Sequence, residues 1–258
     1  MHQDENKGNE DHFDEPTLED FLPNEDEDKI LEERQKKRRA FARKMIAIGL
    51  SLALLVSMLQ IWPQIFNLSS IKFLQKSAEL SQLEKIQSYK EAVVTIQDQH
   101  TKGTGFNISN GGFIITNKHV VDNMYLITVT FPNGKIFNGT IIYEDSNLDL
   151  ALLEIEGENL PYLPLAEPKS WEVEEQIYVI GNPLFHNQIA NEGDILEGSS
   201  MDGILKLSAP IYKGNSGSPV INESGEVVGV VYAVSTIDQT GIAIPIEQVL
   251  ERLHIRGK

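Results

Sequence analysis

The sequence predicts an all-β domain that follows a membrane-spanning helix and an acidic tail. From Ala92 onward, short runs rich in Val, Ile, Thr, Phe and Tyr alternate with turns such as "SNGG", "FPNGK" and "NESGE". Many short strands at this spacing favour a closed or sandwiched antiparallel architecture. Ahead of them, no charged residue occurs from Met45 through Ile71, so this part of the chain has the composition of a bilayer span.

Composition and charge narrow the function classes. The 258 residues carry a net charge of −16, which argues against a nucleic-acid partner because phosphate binding needs clustered cations. The absence of cysteine excludes disulfides, thiolate zinc sites and a cysteine nucleophile, but it does not fix the compartment.

Residues 1–44 are predicted to be a disordered cytoplasmic tail that ends in a basic juxtamembrane segment. Residues 1–33 are crowded with Asp and Glu and hold few large apolar residues, so they cannot bury enough surface to offset the entropy of ordering. A solvated tail is the preferred interpretation. The alternative is a tail that docks a partner through its few apolar residues, which are Phe13, Leu18, Phe21 and Leu22.

Residues 45–66 are predicted to be a transmembrane helix. Such a helix is about 30 Å long, the thickness of a bilayer's hydrocarbon core, and Trp62 lies near its far end as an interfacial anchor. A buried core helix would rarely stay uncharged for so long, and a cleaved signal peptide is disfavoured by the long hydrophilic region ahead of the span. The cations that precede the span are Arg34, Lys36, Lys37, Arg38, Arg39, Arg43 and Lys44. By the positive-inside rule, a single-pass protein of the cell membrane is expected, with a cytoplasmic N-terminus and an extracytoplasmic β domain.

Residues 67–90 are predicted to form a stalk helix that lifts the β domain, residues 91–258, off the membrane. Helix formers dominate this stretch, and its apolar residues have a loosely helical spacing. An oligomerisation helix is the alternative, but the spacing is too irregular to indicate a coiled coil. A third helix is predicted at the end of the chain, in "PIEQVLERLHI".

A candidate base and its orienting acid lie in the first half of the β domain. His119 stands where the run "GFIITNKHVVDN" begins to turn, and "YEDSNLDLALLEI" offers two carboxylates. Asp145 lies in an evident turn and is expected to be solvated, whereas Asp149 leads into an apolar strand and is expected to be partly buried. A buried carboxylate needs a partner, and an imidazole N–H is a suitable one, so Asp149 is the better candidate. A hydrogen-bonded histidine and a strand-capping aspartate are the ordinary structural alternatives.

A candidate nucleophile lies in the second half, in "YKGNSGSPVIN". Gly214 and Gly217 flank Ser216 and permit a tight turn that would hold its hydroxyl in a fixed pose. The order His119, Asp149, Ser216 is that of the chymotrypsin class, and it differs from the orders in α/β-hydrolases and subtilisins. The order of the three residues and the strand-rich sequence of the domain therefore both indicate the chymotrypsin class.

These segments resemble the trypsin-like serine proteases of the HtrA/Deg type. "GTGFNISNGGFIITNKHVV" is similar to the family's histidine segment, "LDLALLEI" to its aspartate segment, and "GNSGSPVIN" to its serine loop. "VIGNP", "GEVVGVVYAV" and "GIAIP" resemble further family segments in the expected order. The resemblance implies a chymotrypsin-like fold of two six-stranded antiparallel β-barrels, with His119 and Asp149 in the first and Ser216 in the second.

The resemblance also implies a membrane-anchored serine endopeptidase that acts on exported or misfolded polypeptides and needs no metal or cofactor. Ser216 would be the nucleophile, His119 the general base and Asp149 the residue that orients it. The backbone N–H groups of Gly214 and Ser216 would form the oxyanion hole.

By the same resemblance, the primary specificity pocket is formed by Pro210, Ile211, Tyr212, Val231, Tyr232 and Ala233. None of these residues is acidic, so we expect a preference for apolar side chains of small to medium size before the scissile bond.

Two features depart from the family pattern. Ser218 stands where the family usually has a second glycine, and we expect this small residue to be tolerated. The chain leaves no room for a PDZ domain after "GIAIPIEQVLERLH", so peptide-end recognition by such a domain is not expected. The resemblance is compatible with a homotrimer, and the sequence leaves the oligomeric state open.

Two other functions remain as alternatives. The first is a non-catalytic sensor or chaperone on a protease fold whose site is unformed. The second is a signalling receptor that acts through the acidic cytoplasmic tail. The presence of all three candidate catalytic residues and of the glycine loop favours the enzyme.

Overall fold

The structure is a computed structural model that describes residues 25–65, 68–99, 101–183, 186–200 and 203–253. The chain divides into two compact units, Met1–Phe66 and Asn67–Lys258. The predictions for residues 1–24 lie outside the described residues.

The first unit contains one long helix, α1 (Glu25–Ile65). Residues 25–44, which the sequence analysis assigns to a disordered tail, are helical in this structure. Glu, Lys and Arg are strong helix formers, and pairs such as Glu32–Lys36 at 3.7 Å and Glu33–Lys37 at 3.9 Å support the helical turns. Within α1, Lys29–Ser57 is long and apolar enough to cross a membrane by length and composition, and its side chains are exposed.

The second unit begins with two short helices, α2 (Leu68–Leu80) and α3 (Glu84–Glu91). Leu80 and Ile86 are buried among the core residues of the β domain. Both helices thus pack on the β domain, whereas the sequence analysis predicts that residues 67–90 form a stalk. Their irregular apolar spacing fits separate contacts with the β domain, such as those of Leu80 and Ile86, rather than one continuous apolar face.

The first β structure is a closed antiparallel barrel in the order β1-β2-β3-β6-β5-β4. Its strands are β1 (Val93–Gln97), β2 (Lys102–Asn107), β3 (Phe113–Thr116), β4 (Ile127–Thr130), β5 (Ile136–Asp145) and β6 (Leu150–Glu154). A one-turn helix, α4 (Lys118–Val121), follows β3. β-branched and leucine side chains such as Ile114 and Leu153 fill the barrel.

The second β structure is a six-stranded antiparallel sheet in the order β8-β7-β10-β11-β12-β9. Its strands are β7 (Gln176–Gly181), β8 (Ile189–Asp194), β9 (Leu205–Leu207), β10 (Pro219–Asn222), β11 (Val227–Val234) and β12 (Gly241–Pro245), followed by α5 (Ile246–Leu253). The N–H of Ser208 donates to Asp194 O at 3.0 Å and that of Leu196 to Lys206 O at 2.8 Å, so hydrogen bonds near the ends of β8 and β9 join the two edges of the sheet. The predicted fold class is confirmed, with one closed barrel and one half-barrel.

Candidate active site

The structure brings His119 and Asp149 together. His119 lies in α4, and Asp149 immediately precedes β6, which pairs with β3. Nδ1 of His119 lies 2.5 Å from Oδ2 of Asp149, and the backbone N–H of His119 donates to Oδ1 at 2.9 Å. Both carboxylate oxygens therefore contact the same residue, and Nε2 of the imidazole is left to face another group.

The backbone of Asp149 is itself held in an unusual conformation. Its φ of +56° lies in the left-handed region, which Asp adopts more readily than most residues. The carbonyl oxygen of Asp149 accepts hydrogen bonds from Lys118 N at 3.1 Å and from Asn117 Nδ2 at 2.9 Å. These bonds keep the carboxylate aimed at α4 and offset the backbone strain. The side chain is 28% exposed, so it is partly buried.

Asp145, by contrast, is buried, with 8% of its surface exposed, although its position in a turn predicts a solvated carboxylate. Its Oδ1 accepts hydrogen bonds from Asn147 N at 2.8 Å and Leu148 N at 3.1 Å, and its Oδ2 lies 3.6 Å from Nε of Arg252. The carboxylate closes the turn between β5 and β6 in the manner of an Asx turn, which explains its burial. These bonds, above all the one from Leu148, hold the pKa of Asp145 below its usual value.

Ser216 follows a tight turn that spans Tyr212 to Asn215. The N–H of Asn215 donates to Tyr212 O at 3.0 Å, and Gly214 has a φ of +101°. Lys213 is not among the residues with positive φ, so this is a type II turn, which requires glycine at its third position. Within the described residues, the N–H groups of Gly214 and Ser216 donate to no protein acceptor.

The loop that carries Ser216 is pressed against the first barrel. Gly217 has a φ of +81°, and a Cβ at this position would lie 2.1 Å from Thr104 O and 2.5 Å from Thr116 Oγ1. Thr116 ends β3, and the chain then continues through Asn117 and Lys118 to His119. The loop that carries Ser216 therefore contacts the first barrel at the end of β3, where the chain continues into α4 and His119.

Thr104 is a site residue that the sequence analysis did not single out. Its Oγ1 donates to Gly214 O at 2.7 Å and accepts from Asn182 N at 2.9 Å, and its own N–H donates to Ser216 O at 3.1 Å. It is fully buried and joins both β structures to the serine loop. The motif "GTGF" around it was the available signal, because a small hydroxyl residue between two glycines allows backbones to approach closely.

The residues of the predicted specificity pocket have different environments. Val231 is buried, and its carbonyl oxygen accepts the N–H of Gly217 at 2.8 Å. The others are partly or largely exposed, namely Pro210, Ile211, Tyr212, Tyr232 and Ala233. Burial, and secondarily the charge of Asp149, raises the pKa of the Tyr232 phenol.

The pocket itself stays a prediction. A cavity of about 1280 Å³ lies on the first barrel, beside the ends of β5 and β6, and none of the predicted pocket residues lines it. In the described ranges, no group of three or more His, Asp or Glu side chains could hold a metal ion.

Ser218 is accommodated in the core beneath the loop. It is fully buried and is not among the residues with positive φ, so its side chain meets no backbone strain. Its N–H donates to Asn215 O at 2.9 Å, whereas its Oγ and the Oδ1 of Asn215 have no hydrogen-bond partner among the described residues.

Comparisons with known proteins agree on one family. Residues 103–230 match the family described as trypsin-like peptidase domain. A putative serine protease, HhoB of Synechocystis, is 34% identical over 170 residues, which is 60% of this chain and 41% of that protein. The serine endoprotease DegS of Haemophilus influenzae is 33% identical over 154 residues, covering 55% of this chain and 45% of that protein.

A solved structure gives the same likeness. The crystal structure of the serine endoprotease from Yersinia pestis matches with a TM-score of 0.62 and 30% identity, over 66% of this chain and 64% of that one. This chain therefore spans less than half the length of HhoB and of DegS, by the coverages of 41% and 45% given above.

Proposed function

Because this chain carries a trypsin-like peptidase domain of the HtrA/Deg type, we propose that it is a serine endopeptidase whose catalytic triad is His119, Asp149 and Ser216. The observation that carries the proposal is the 2.5 Å contact between His119 Nδ1 and Asp149 Oδ2. A carboxylate on Nδ1 fixes the tautomer with Nε2 free to accept a proton, which is what a general base for a serine hydroxyl requires.

The reaction follows from these roles. Ser216 Oγ attacks the peptide carbonyl carbon while Nε2 of His119 takes the hydroxyl proton. The imidazolium, stabilised by Asp149, then gives this proton to the leaving amine as the C–N bond breaks. His119 then takes a proton from a water molecule as this water attacks the acyl-enzyme. It gives the proton to Ser216 Oγ as the ester C–O bond breaks and the carboxylic acid product leaves.

The oxyanion of each tetrahedral intermediate would be bound by the N–H groups of Gly214 and Ser216. The type II turn at Tyr212–Asn215 and the absence of a protein acceptor for either N–H among the described residues support this assignment. Each such donor stabilises the transition state by about 3 kcal/mol.

The proposed location is the outer side of the cell membrane, with exported polypeptides as substrates. The cluster of cations before the apolar part of α1 supports a cytoplasmic N-terminus. One relative, from Chlamydia pneumoniae, is a probable periplasmic serine endoprotease that is 37% identical over 161 residues, or 60% of this chain and 31% of that protein.

The proposed specificity is for apolar residues of small to medium size before the scissile bond, because none of the six candidate pocket residues is acidic. Profiling with a peptide library would test it. Efficient cleavage after Arg would overturn the specificity without affecting the triad.

Labelling of the full-length chain with a fluorophosphonate probe tests the triad. We expect Ser216→Ala to abolish labelling, and Asp149→Asn to lower kcat by about 10⁴-fold because the tautomer of His119 is no longer fixed. Ser170→Ala, at an exposed serine, is the matched control and should label like the unaltered chain. Persistent labelling of Ser216→Ala, or none of the unaltered chain, would contradict the proposal.

A further inference from the structure

Helix α2 is docked on the edge of the second β structure by both polar and apolar contacts. The buried Ser77 accepts the N–H of Ala190 at 3.0 Å through its Oγ, so the helix satisfies a donor on the edge strand β8. Nζ of Lys76 lies 2.6 Å from Oε1 of Glu192 on the same strand. Leu80 completes the contact within the core. The position of α2 on this edge is therefore well defined.

From this position, α2 reaches the turn that precedes Ser216. The ring of Phe73 packs edge-on against the ring of Tyr212, with centroids 4.5 Å apart and planes at 68°. Tyr212 is the first residue of the type II turn, and its carbonyl oxygen closes that turn by accepting the N–H of Asn215. Phe73 of α2 thus contacts the first residue of the turn that positions the proposed oxyanion donors, which are the N–H groups of Gly214 and Ser216.

We propose that Phe73 is a positioning residue for the turn at Tyr212–Asn215. Through its contact with the ring of Tyr212, Phe73 holds this turn in the type II conformation. The inference rests on the proposed function, in which Gly214 and Ser216 bind the oxyanion. Types I and II differ mainly by a rotation of the central peptide, here the one between Lys213 and Gly214, which reverses the direction of the Gly214 N–H. A side-chain contact at the start of the turn can therefore decide whether this donor faces the substrate.

Kinetics of the full-length chain in detergent micelles test the proposal. Phe73→Leu keeps most of the apolar volume but removes the ring, and we expect it to lower kcat by about fivefold to tenfold with KM changed less than twofold. Phe73→Tyr keeps the ring and should restore kcat. Gln75→Ala, at an exposed position of the same helix, is the matched control and should behave like the unaltered chain.

A second readout separates a positioning role from a purely structural one. The melting temperature is measured for each variant, and amide hydrogen exchange is followed for residues 212–217. Faster exchange in Phe73→Leu than in Gln75→Ala, at equal melting temperature, is the expected result. A kcat for Phe73→Leu within twofold of the control, or a loss fully explained by a lower melting temperature, would overturn the inference.

The exchange measurement also distinguishes failure of the inference from failure of the proposed function. If the unaltered chain does not react with the fluorophosphonate probe, the triad proposal fails. Faster exchange of residues 212–217 in Phe73→Leu would then still support the contact as the element that orders the turn, and equal exchange would overturn it.

Discussion

At the scale of single residues, Thr104 joins the two β structures through one buried hydroxyl. It donates to Gly214 O and accepts from Asn182 N. Thr104→Val keeps the shape but leaves both groups without their partner, so we expect a loss of about 1–3 kcal/mol in the free energy of unfolding and a lower kcat. Thr104→Ser keeps the hydroxyl and should recover most of both. Urea unfolding and steady-state kinetics would measure the two effects, and equal kcat values for Val and Ser would contradict the role.

Gly217 permits the close approach between the serine loop and the first barrel. A Cβ there would lie 2.1 Å from Thr104 O, so Gly217→Ala must displace the loop, and we expect loss of labelling by the fluorophosphonate probe. Gly134 has a similar φ of +85°, but a Cβ added there would meet no atom within 4 Å, so Gly134→Ala is the matched control for backbone strain alone. We expect Gly134→Ala to lower the free energy of unfolding by about 1 kcal/mol and to retain labelling by the probe. Equal labelling of the two variants would contradict this account.

At the scale of elements, Asp145 connects the turn between β5 and β6 to helix α5. Its pKa is lowered in the folded chain, so its stabilising contribution is present above the unfolded value, near 3.8, and is lost as the pH falls through the folded value. We expect Asp145→Asn to lower the free energy of unfolding by about 1 kcal/mol at pH 7 and to have little effect at low pH. Urea titrations at several pH values would measure this difference.

Glu158→Gln, at an exposed position, serves as the control for the loss of one negative charge. A destabilisation by Asp145→Asn that does not shrink on acidification would show that the carboxylate contributes through shape alone. In that case the hydrogen bonds to Asn147 and Leu148 would not depend on its charge.

At the scale of the whole molecule, the β domain should require α2 and α3. We expect a fragment of residues 67–258 to fold and to be soluble without detergent, because the long apolar helix is removed. A fragment of residues 92–258 loses the buried Leu80 and Ile86, at about 2 kcal/mol each, and should melt at a clearly lower temperature. Calorimetry of the two fragments would compare them, and equal melting temperatures would contradict a structural role for these helices.

The proposed arrangement across the membrane gives a further expectation at this scale. The full-length chain should stay in the membrane fraction after alkaline extraction, and its β domain should be cleaved by an external protease in intact spheroplasts. Residues 67–258 expressed alone are the soluble control. Recovery of the full-length chain in the soluble fraction would contradict the anchor, and protection of the β domain would contradict the orientation.

The sequence by itself determined the strand-rich domain, the apolar span and the identity of the candidate catalytic residues. Strand alternation, an uncharged stretch and the motifs around His119, Asp149 and Ser216 are local patterns, and local patterns can be read along the chain. They could not show that Asp145 is buried, since an Asx turn and an ion pair with the distant Arg252 are what stabilise its charge.

Only the tertiary structure decided how the serine loop is supported. The bonds of Thr104 to Gly214 and Ser216 join residues about a hundred positions apart, and the contact of Phe73 with Tyr212 spans still more of the chain. The helix formers of residues 67–90 suit a free stalk and a packed helix equally well, because helix propensity is local whereas burial depends on what the rest of the chain places beside it.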